Sequence, residues 1–366
     1  MTTEYFNPVQ TVHGAGALSS LPRLLNGRKA VLVTFPEAKA VGLLERIEQV
    51  LGDRLAGVID QVRPNPDVAE LAPLWETFWR DHADTGVLVA VGGGSAIDTA
   101  KALMVGNDSG RFADMVAGLS GERPFSPTRF KQLIAVPTTA GTGSEVTPWA
   151  TVWDRERQKK YSLHLPQTWP SHAVIDPELM LSLPSAVTLQ SGLDALSHAL
   201  ESIWNVNANP VSDVFAVAAI HETLEVLPLL MQHPLDLSLR SRMALAALKA
   251  GLAFSNTKTA LAHSISYEMT LRYGIPHGIA CSFSLPMVLE RAMGRSADRD
   301  RVLEQALGKP LANAPRRLEA FIEALGVRTR FSDYGVSDDE ARDMVLHAQA
   351  GARGRNFIGT ASELAA

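Results

Sequence analysis

Four short apolar runs, set among stretches of helical character, constrain the first half of this chain more than any other feature. Lys29–Thr34 (KAVLVT), Leu55–Gln61 (LAGVIDQ), Gly86–Val91 (GVLVAV) and Gln132–Val136 (QLIAV) are rich in β-branched residues and bounded by polar ones, as strands buried in a parallel sheet are. Ala38–Leu51 and Asp67–His82 between them carry helical periodicity, and Ala173–Ile175 adds a further short strand. Strands separated by helices need crossover connections, so the expectation is a doubly wound α/β domain, ending near Pro184. Beyond it strand-like runs become scarce. Val211–Met231, Leu237–Ser255, Lys258–Leu271, Cys281–Met293 and Arg316–Leu325 read as helices, with breaks near Asn207–Pro210, Pro234, Gly274–Pro276 and Pro310. The expected organisation is therefore an α/β dinucleotide-binding domain over residues 1–184 and an all-α domain over 185–366. With no repeat or low-complexity linker, the halves should pack directly and leave a cleft for small ligands. The tail from Gly351, rich in glycine and small residues, offers little to order it.

Composition narrows the function classes. The chain has 366 residues, 46% hydrophobic and 20% charged, enough to bury cores without a disulfide or metal staple. Thirty-four basic residues against 39 acidic ones, with no basic block, argue against nucleic acid or an anionic membrane as partner. The single cysteine, Cys281, excludes an intrachain disulfide and suits a reducing cytoplasm. No basic region followed by an apolar run opens the sequence, and no run of about twenty uncharged apolar residues occurs, so neither a secretory signal nor a membrane span is expected.

Two constellations carry chemistry. Directly after GVLVAV come Gly92, Gly93, Gly94 and Ser95, then the helical run AIDTAKAL. Glycines at a strand–helix junction admit a ligand close to the backbone, and the helix start offers unpaired N–H groups, so a pyrophosphate is the natural occupant. The spaced G-x-G-x-x-G fingerprint is absent. Asp98 and Lys101, in the next turns, either reach the ligand or pair locally. A second loop, Pro137–Thr147, follows QLIAV with small hydroxylated residues and glycines, suited to an anion or a nicotinamide. The other constellation begins in Ser191–His198 (SGLDALSH), where Asp194 and His198 stand one helical turn apart and point from one face. His263 and His277 lie in largely apolar surroundings, where an unpartnered imidazole is costly to bury. One Asp and three His complete a four-donor set for Fe(II) or Zn(II).

GGGSAIDTAK, TTAGTGSEVT, DALSHALE, and His263 with PHG at 276–278 occur in one order that resembles the iron-containing (group III) alcohol dehydrogenase family. The resemblance runs over essentially the whole chain, from VHGAGAL through VRPNPD to the C-terminal helices. It implies a Rossmann-like N-terminal domain and a helical C-terminal one, and a metal-dependent, NAD(P)-linked interconversion of aldehyde and primary alcohol. It also implies Asp194, His198, His263 and His277 as ligands of iron, with zinc as the other candidate. Gly92, Gly93, Gly94, Ser95 and Asp98 match the pyrophosphate loop. Thr138, Thr139, Gly143, Ser144 and Thr147 match the loop around the rest of the cofactor. Asn65 and Pro66 match an element lining the cofactor cleft, and Lys160 a lysine that contacts the cofactor. Family members are usually dimers or larger.

Two positions depart from the family pattern. Phe35, with Glu37 beyond it, stands where many NAD-preferring members carry an aspartate, so nothing obvious repels the 2′-phosphate of NADPH. Tyr267 replaces a histidine four residues after the third ligand, and leaves water, a ribose hydroxyl or the phenol as proton source. The run Asn256-Thr257-Lys258-Thr259 resembles the branch that reduces phosphonoacetaldehyde to hydroxyethylphosphonate, with Lys258 facing an acidic tail and Arg353 and Arg355 as further candidates. General aliphatic alcohol dehydrogenases, sulfoacetaldehyde reductases, metal-independent maleylacetate reductases and dehydroquinate synthase-like lyases are the alternatives.

Overall fold

The computed structural model describes residues 2–359, which divide into two compact units. The first, Pro8–Thr139 with Ser144–Ser182, is built on a six-stranded sheet. Across the sheet the strands are Gln10–His13, His172–Ile175, Gln132–Pro137, Val87–Gly92, Ala30–Val33 and Leu55–Ile59. Every pairing between them is parallel. Alternate side chains of the central strands serve two separate cores, because successive Cβ atoms point to opposite faces. Val31, Val33, Leu88, Ala90 and Leu133 face a cluster holding Trp75, Phe78 and Trp79. Ala30, Leu32, Val87, Val89 and Ile134 face the cluster of Leu21, Leu25 and Ile47. The continuous apolar runs are thus the mark of a sheet covered on both sides.

The strand order reverses between Ala30–Val33 and Val87–Gly92. From Ala30–Val33 the chain goes outward to the edge strand Leu55–Ile59, then returns to Val87–Gly92 on the other flank. Open α/β sheets bind ligands outside the carboxyl ends of their strands at such a reversal. Gly92 and the helix Gly94–Leu103 begin there.

Local details differ from the sequence expectation. Ala38–Leu51 is not one helix: a 3-10 turn, Pro36–Ala38, precedes the helix Leu43–Leu51, and Gly42 between them takes the left-handed φ of 71°. An antiparallel hairpin, Trp149–Asp154 with Lys159–His164, adds a pairing that the crossover pattern did not predict.

The second unit comprises Met1–Asn7, Ala140–Gly143 and Leu183–Ala366. Helices Ser185–Ile203, Pro210–Gln232 and Leu237–Thr257 pack against one another. Pro210–Gln232 is apolar and long enough to cross a membrane by length and composition alone. In this fold it lies against the other two helices and carries Asp213, which pairs with Arg299 at 2.6 Å. The helix predicted over Cys281–Met293 is two, His277–Ser282 and Leu285–Ala292. Pro286 explains the break, since its ring clashes with the carbonyl of Ser282 in a continuous helix. The helix carrying His263 starts at Leu261, and Lys258 instead caps the preceding helix with φ 68°. Of the C-terminal tail, residues 360–366 lie outside the described residues. Residues up to Gly359 are tied down: Asn356 O accepts from Val206 N at 2.8 Å, and Asn356 Nδ2 donates to Thr259 O at 2.8 Å.

Candidate functional site

All four metal-donor candidates converge on one atom. Asp194 Oδ1 lies 3.4 Å from His263 Nε2, 3.9 Å from His198 Nε2 and 3.9 Å from His277 Nε2. Bonds of about 2.1 Å to a shared ion place neighbouring donors roughly 3 to 4 Å apart. Asp194 and His263 are buried, yet neither Asp194 Oδ1 nor His263 Nε2 finds a hydrogen-bond partner among the described residues. Two orphaned polar atoms facing each other in a core are costly unless a cation joins them. The residues therefore fit a divalent metal.

Local sequence explains the convergence. Asp194 and His198 sit at i and i+4 of Ser185–Ile203, His263 is the third residue of Leu261–Tyr273, in its first turn, and His277 opens its own short helix. Gly278 permits that last approach, because a Cβ there would lie 2.0 Å from Gln190 O. Gly141 performs the same service from the threonine-rich loop: its Cβ would meet Ser191 O at 2.5 Å. Its own carbonyl receives His198 Nδ1 at 3.3 Å, which leaves Nε2 for the ion. Phe254 stacks on the His198 ring at 4.1 Å and fixes its plane.

Glu201 was not singled out in the sequence, and it is the main support of His263. Its Oε2 lies 2.7 Å from His263 Nδ1 and accepts Ala260 N at 2.8 Å. Its Oε1 accepts Ala262 N at 2.5 Å and His263 N at 3.2 Å. A carboxylate on the remote nitrogen orients a metal-binding imidazole and raises its basicity. The signal was present, since Asp194, His198 and Glu201 fall at i, i+4 and i+7 of one helix face. Cys281, the single cysteine, also lies at this site. Its thiol lies 3.4 Å from His277 Nε2, and Asp194, His263, His277 and Cys281 form a set whose donor atoms all lie within 4.8 Å of one another.

Charge state follows from this packing. Burial, partly offset by Asp194, lowers the His198 imidazole to about 4, so it is neutral with a lone pair at physiological pH. Burial alone would push Asp194 up, but His198 and the other imidazoles hold it well below the usual carboxylate range.

Most of the other predicted residues lie in the α/β unit. A Cβ on Gly92 would strike the Ala96 side chain at 2.6 Å, and one on Gly93 would press on Thr139 at 3.3 Å. Gly94 starts the helix, and Ser95 Oγ accepts from Asn65 N at 3.1 Å, with Asn65 at φ 61°. Thr138 N donates to Gly92 O at 2.9 Å. Asp98 accepts Ser144 Oγ at 2.6 Å and Thr151 N at 2.9 Å. Lys101 is fully buried; its Nζ donates to Ser144 O at 2.6 Å and Trp149 O at 2.8 Å, so it braces this loop. Thr147 is buried, and Lys160 Nζ stands 5.1 Å over the Trp153 ring. Gly143 lies in the helical unit, where a Cβ would be 2.7 Å from Gly251 Cα. Tyr267 is half-buried one turn after His263, with the Arg353 guanidinium 5.1 Å over its ring, while Lys258 is exposed.

Comparison with known proteins agrees with this geometry. Residues 8–177 match the model of the iron-containing alcohol dehydrogenase family, and residues 188–362 that of the Fe-containing alcohol dehydrogenase family, C-terminal. The NAD-dependent methanol dehydrogenase of Bacillus methanolicus is 32% identical over 94% of this chain and 93% of its own. The phosphonoacetaldehyde reductase of Streptomyces viridochromogenes is 32% identical over 83% of each chain. The crystal structure of sulfoacetaldehyde reductase from Bifidobacterium kashiwanohense in complex with NAD+ superposes with a TM-score of 0.88 at 27% identity, covering 100% of this chain and 97% of that one. Together these matches make the chain a member of the iron-containing alcohol dehydrogenase family, an oxidoreductase acting on alcohols and aldehydes.

Proposed function

We propose that this protein uses NAD(P)H to reduce an aldehyde bearing an acidic group, phosphonoacetaldehyde to 2-hydroxyethylphosphonate being the reaction that fits best. The observation that carries the reading is that two basic residues, Lys258 and Arg353, stand on segments adjoining the helix that bears His263. Arg353 lies over Tyr267, one turn from His263, and Lys258 ends the helix just before the segment that bears His263. The segments bearing them are stitched together, since Asn356 Nδ2 donates to Thr259 O and Asn205 Nδ2 to Lys258 O at 3.1 Å. Support also comes from the phosphonoacetaldehyde reductase and the sulfoacetaldehyde reductase among the relatives.

In this reading Asp194, His198, His263 and His277 hold the metal. Iron bound there supplies electrophilic stabilisation of the carbonyl oxygen, and the nicotinamide supplies the hydride. Gly92, Gly93, Gly94 and Ser95 receive the pyrophosphate on the first turn of Gly94–Leu103. Asn65, Asp98, Thr138, Thr139, Gly143, Ser144, Thr147 and Lys160 shape the remainder of the cofactor site. Tyr267 passes the proton to the product oxygen, and Lys258 with Arg353 faces the acidic tail. Phe35, just after the strand preceding the reversal, carries no charge against a ribose 2′-phosphate, so the site admits NADPH as well as NADH.

The test is anaerobic reconstitution with Fe(II), followed by NADPH and NADH oxidation with phosphonoacetaldehyde, sulfoacetaldehyde and propanal. Phosphonoacetaldehyde should give the highest kcat/KM. Lys258→Ala should raise KM for it by about tenfold, the worth of a charge-assisted contact, and leave propanal nearly unchanged. Propanal outperforming both acidic aldehydes overturns the assignment.

A further inference from the structure

We propose that Cys281 is a metal donor, a thiolate that joins Asp194, His263 and His277 around a thiophilic divalent ion such as zinc or cobalt. The inference rests on the metal centre and is independent of the substrate. Cys281 follows His277 by four residues on the helix His277–Ser282, so both side chains leave one face of it. Its Sγ lies 3.4 Å from His277 Nε2, and the four donor atoms fall within a sphere of contact no wider than 4.8 Å. Ser197 Oγ donates to the Cys281 carbonyl at 3.0 Å and pins this turn to the helix that carries Asp194.

A buried cysteine alone is a small apolar side chain. Here the buried Asp194 Oδ1 and His263 Nε2, without hydrogen-bond partners among the described residues, independently call for a cation at the same point. Asp, two His and Cys make a complete tetrahedral set for zinc without His198. Thiolate ligands favour zinc and cobalt, whereas carboxylate and imidazole serve iron equally well. Cys281 therefore gives the centre a second mode of coordination that depends on the ion. As the sulfur–metal bond forms the thiol proton leaves to solvent, and no group changes oxidation state.

The experiment uses the full chain, freed of metal and reconstituted with Co(II). The expected result is a thiolate-to-cobalt charge-transfer band in the near ultraviolet beside the visible d–d bands. In Cys281→Ser the charge-transfer band should vanish while the d–d bands persist. Zinc affinity should fall by at least about tenfold, and iron affinity by less. Visible d–d bands without the charge-transfer band in the unmodified protein overturn the proposal and leave the metal centre standing. Absence of both overturns the centre as well. The wild-type spectrum decides even if Cys281→Ser fails to fold.

Discussion

Glu201→Gln is the sharpest test of how the metal helix face is held. The substitution keeps the volume of the side chain and one carbonyl oxygen, but turns the other oxygen into an NH2 donor. Oε1 accepts Ala262 N and His263 N, and Oε2 accepts Ala260 N and faces His263 Nδ1. Whichever oxygen is replaced, two buried donors lose their acceptor and face another donor. Glu201 is fully buried, so water cannot compensate. At about 1 to 3 kcal/mol per stranded donor the protein should lose roughly 2 to 6 kcal/mol of stability. The loss of an oriented, basic imidazole should weaken metal binding by about 10- to 100-fold. Urea denaturation of the metal-free protein reads the first effect, and competition against a chromogenic chelator reads the second. A variant within about 1 kcal/mol of wild type, binding metal within about threefold, would refute the claim that Glu201 organises His263.

Two further outcomes follow from particular contacts. Burial raises the Glu145 carboxyl from 4.5 to about 7, against the smaller opposing effect of its own backbone amide and Lys101. A raised folded pKa gives stability that is complete below 4.5 and lost as pH rises through 7, up to about 3 kcal/mol here. Glu145→Gln should abolish that loss, and urea midpoints at acidic and neutral pH that move in parallel for both proteins count against it. Gly278→Ala places a Cβ 2.0 Å from Gln190 O, so the helix bearing His277 must retreat. The expected cost is at least about 1 to 3 kcal/mol together with loss of bound metal; a variant with unchanged melting temperature and metal content would show that the helix has room to spare.

The parallel sheet was legible because its strands are buried on both faces and read as unbroken apolar runs. Val31 and Leu32 serve different cores, yet both must be apolar. The cluster of candidate metal donors was legible because two of them share a helical turn and two are imidazoles amid apolar neighbours. Glu201 was not, although it shares the face of Asp194 and His198. A glutamate at helical spacing reads as solvated, and only the docking of Ala260–His263 onto it shows otherwise. Cys281 stands four residues after His277, but a lone cysteine at helical spacing reads as a small apolar side chain, and its approach to Asp194 and His263 is a tertiary fact. The hairpin Trp149–Asp154/Lys159–His164 was missed because its strands are separated by a charged turn, without the two-residue Asn-Gly or Asp-Gly signal.

The tetrapeptide Ala140–Gly143 belongs to the helical unit although it lies some forty residues before Leu183, where the rest of that unit begins. Gly141 brings the acceptor for His198, and Gly143 seats against Gly251. The unit is thus not a cassette. A chimaera joined near residue 184 would inherit every candidate metal ligand from one parent and the carbonyl that aims His198 from the other. Exchange of the catalytic half between relatives should succeed only when this short loop travels with it, so crossover libraries for such enzymes are better designed by spatial neighbourhood than by position along the chain.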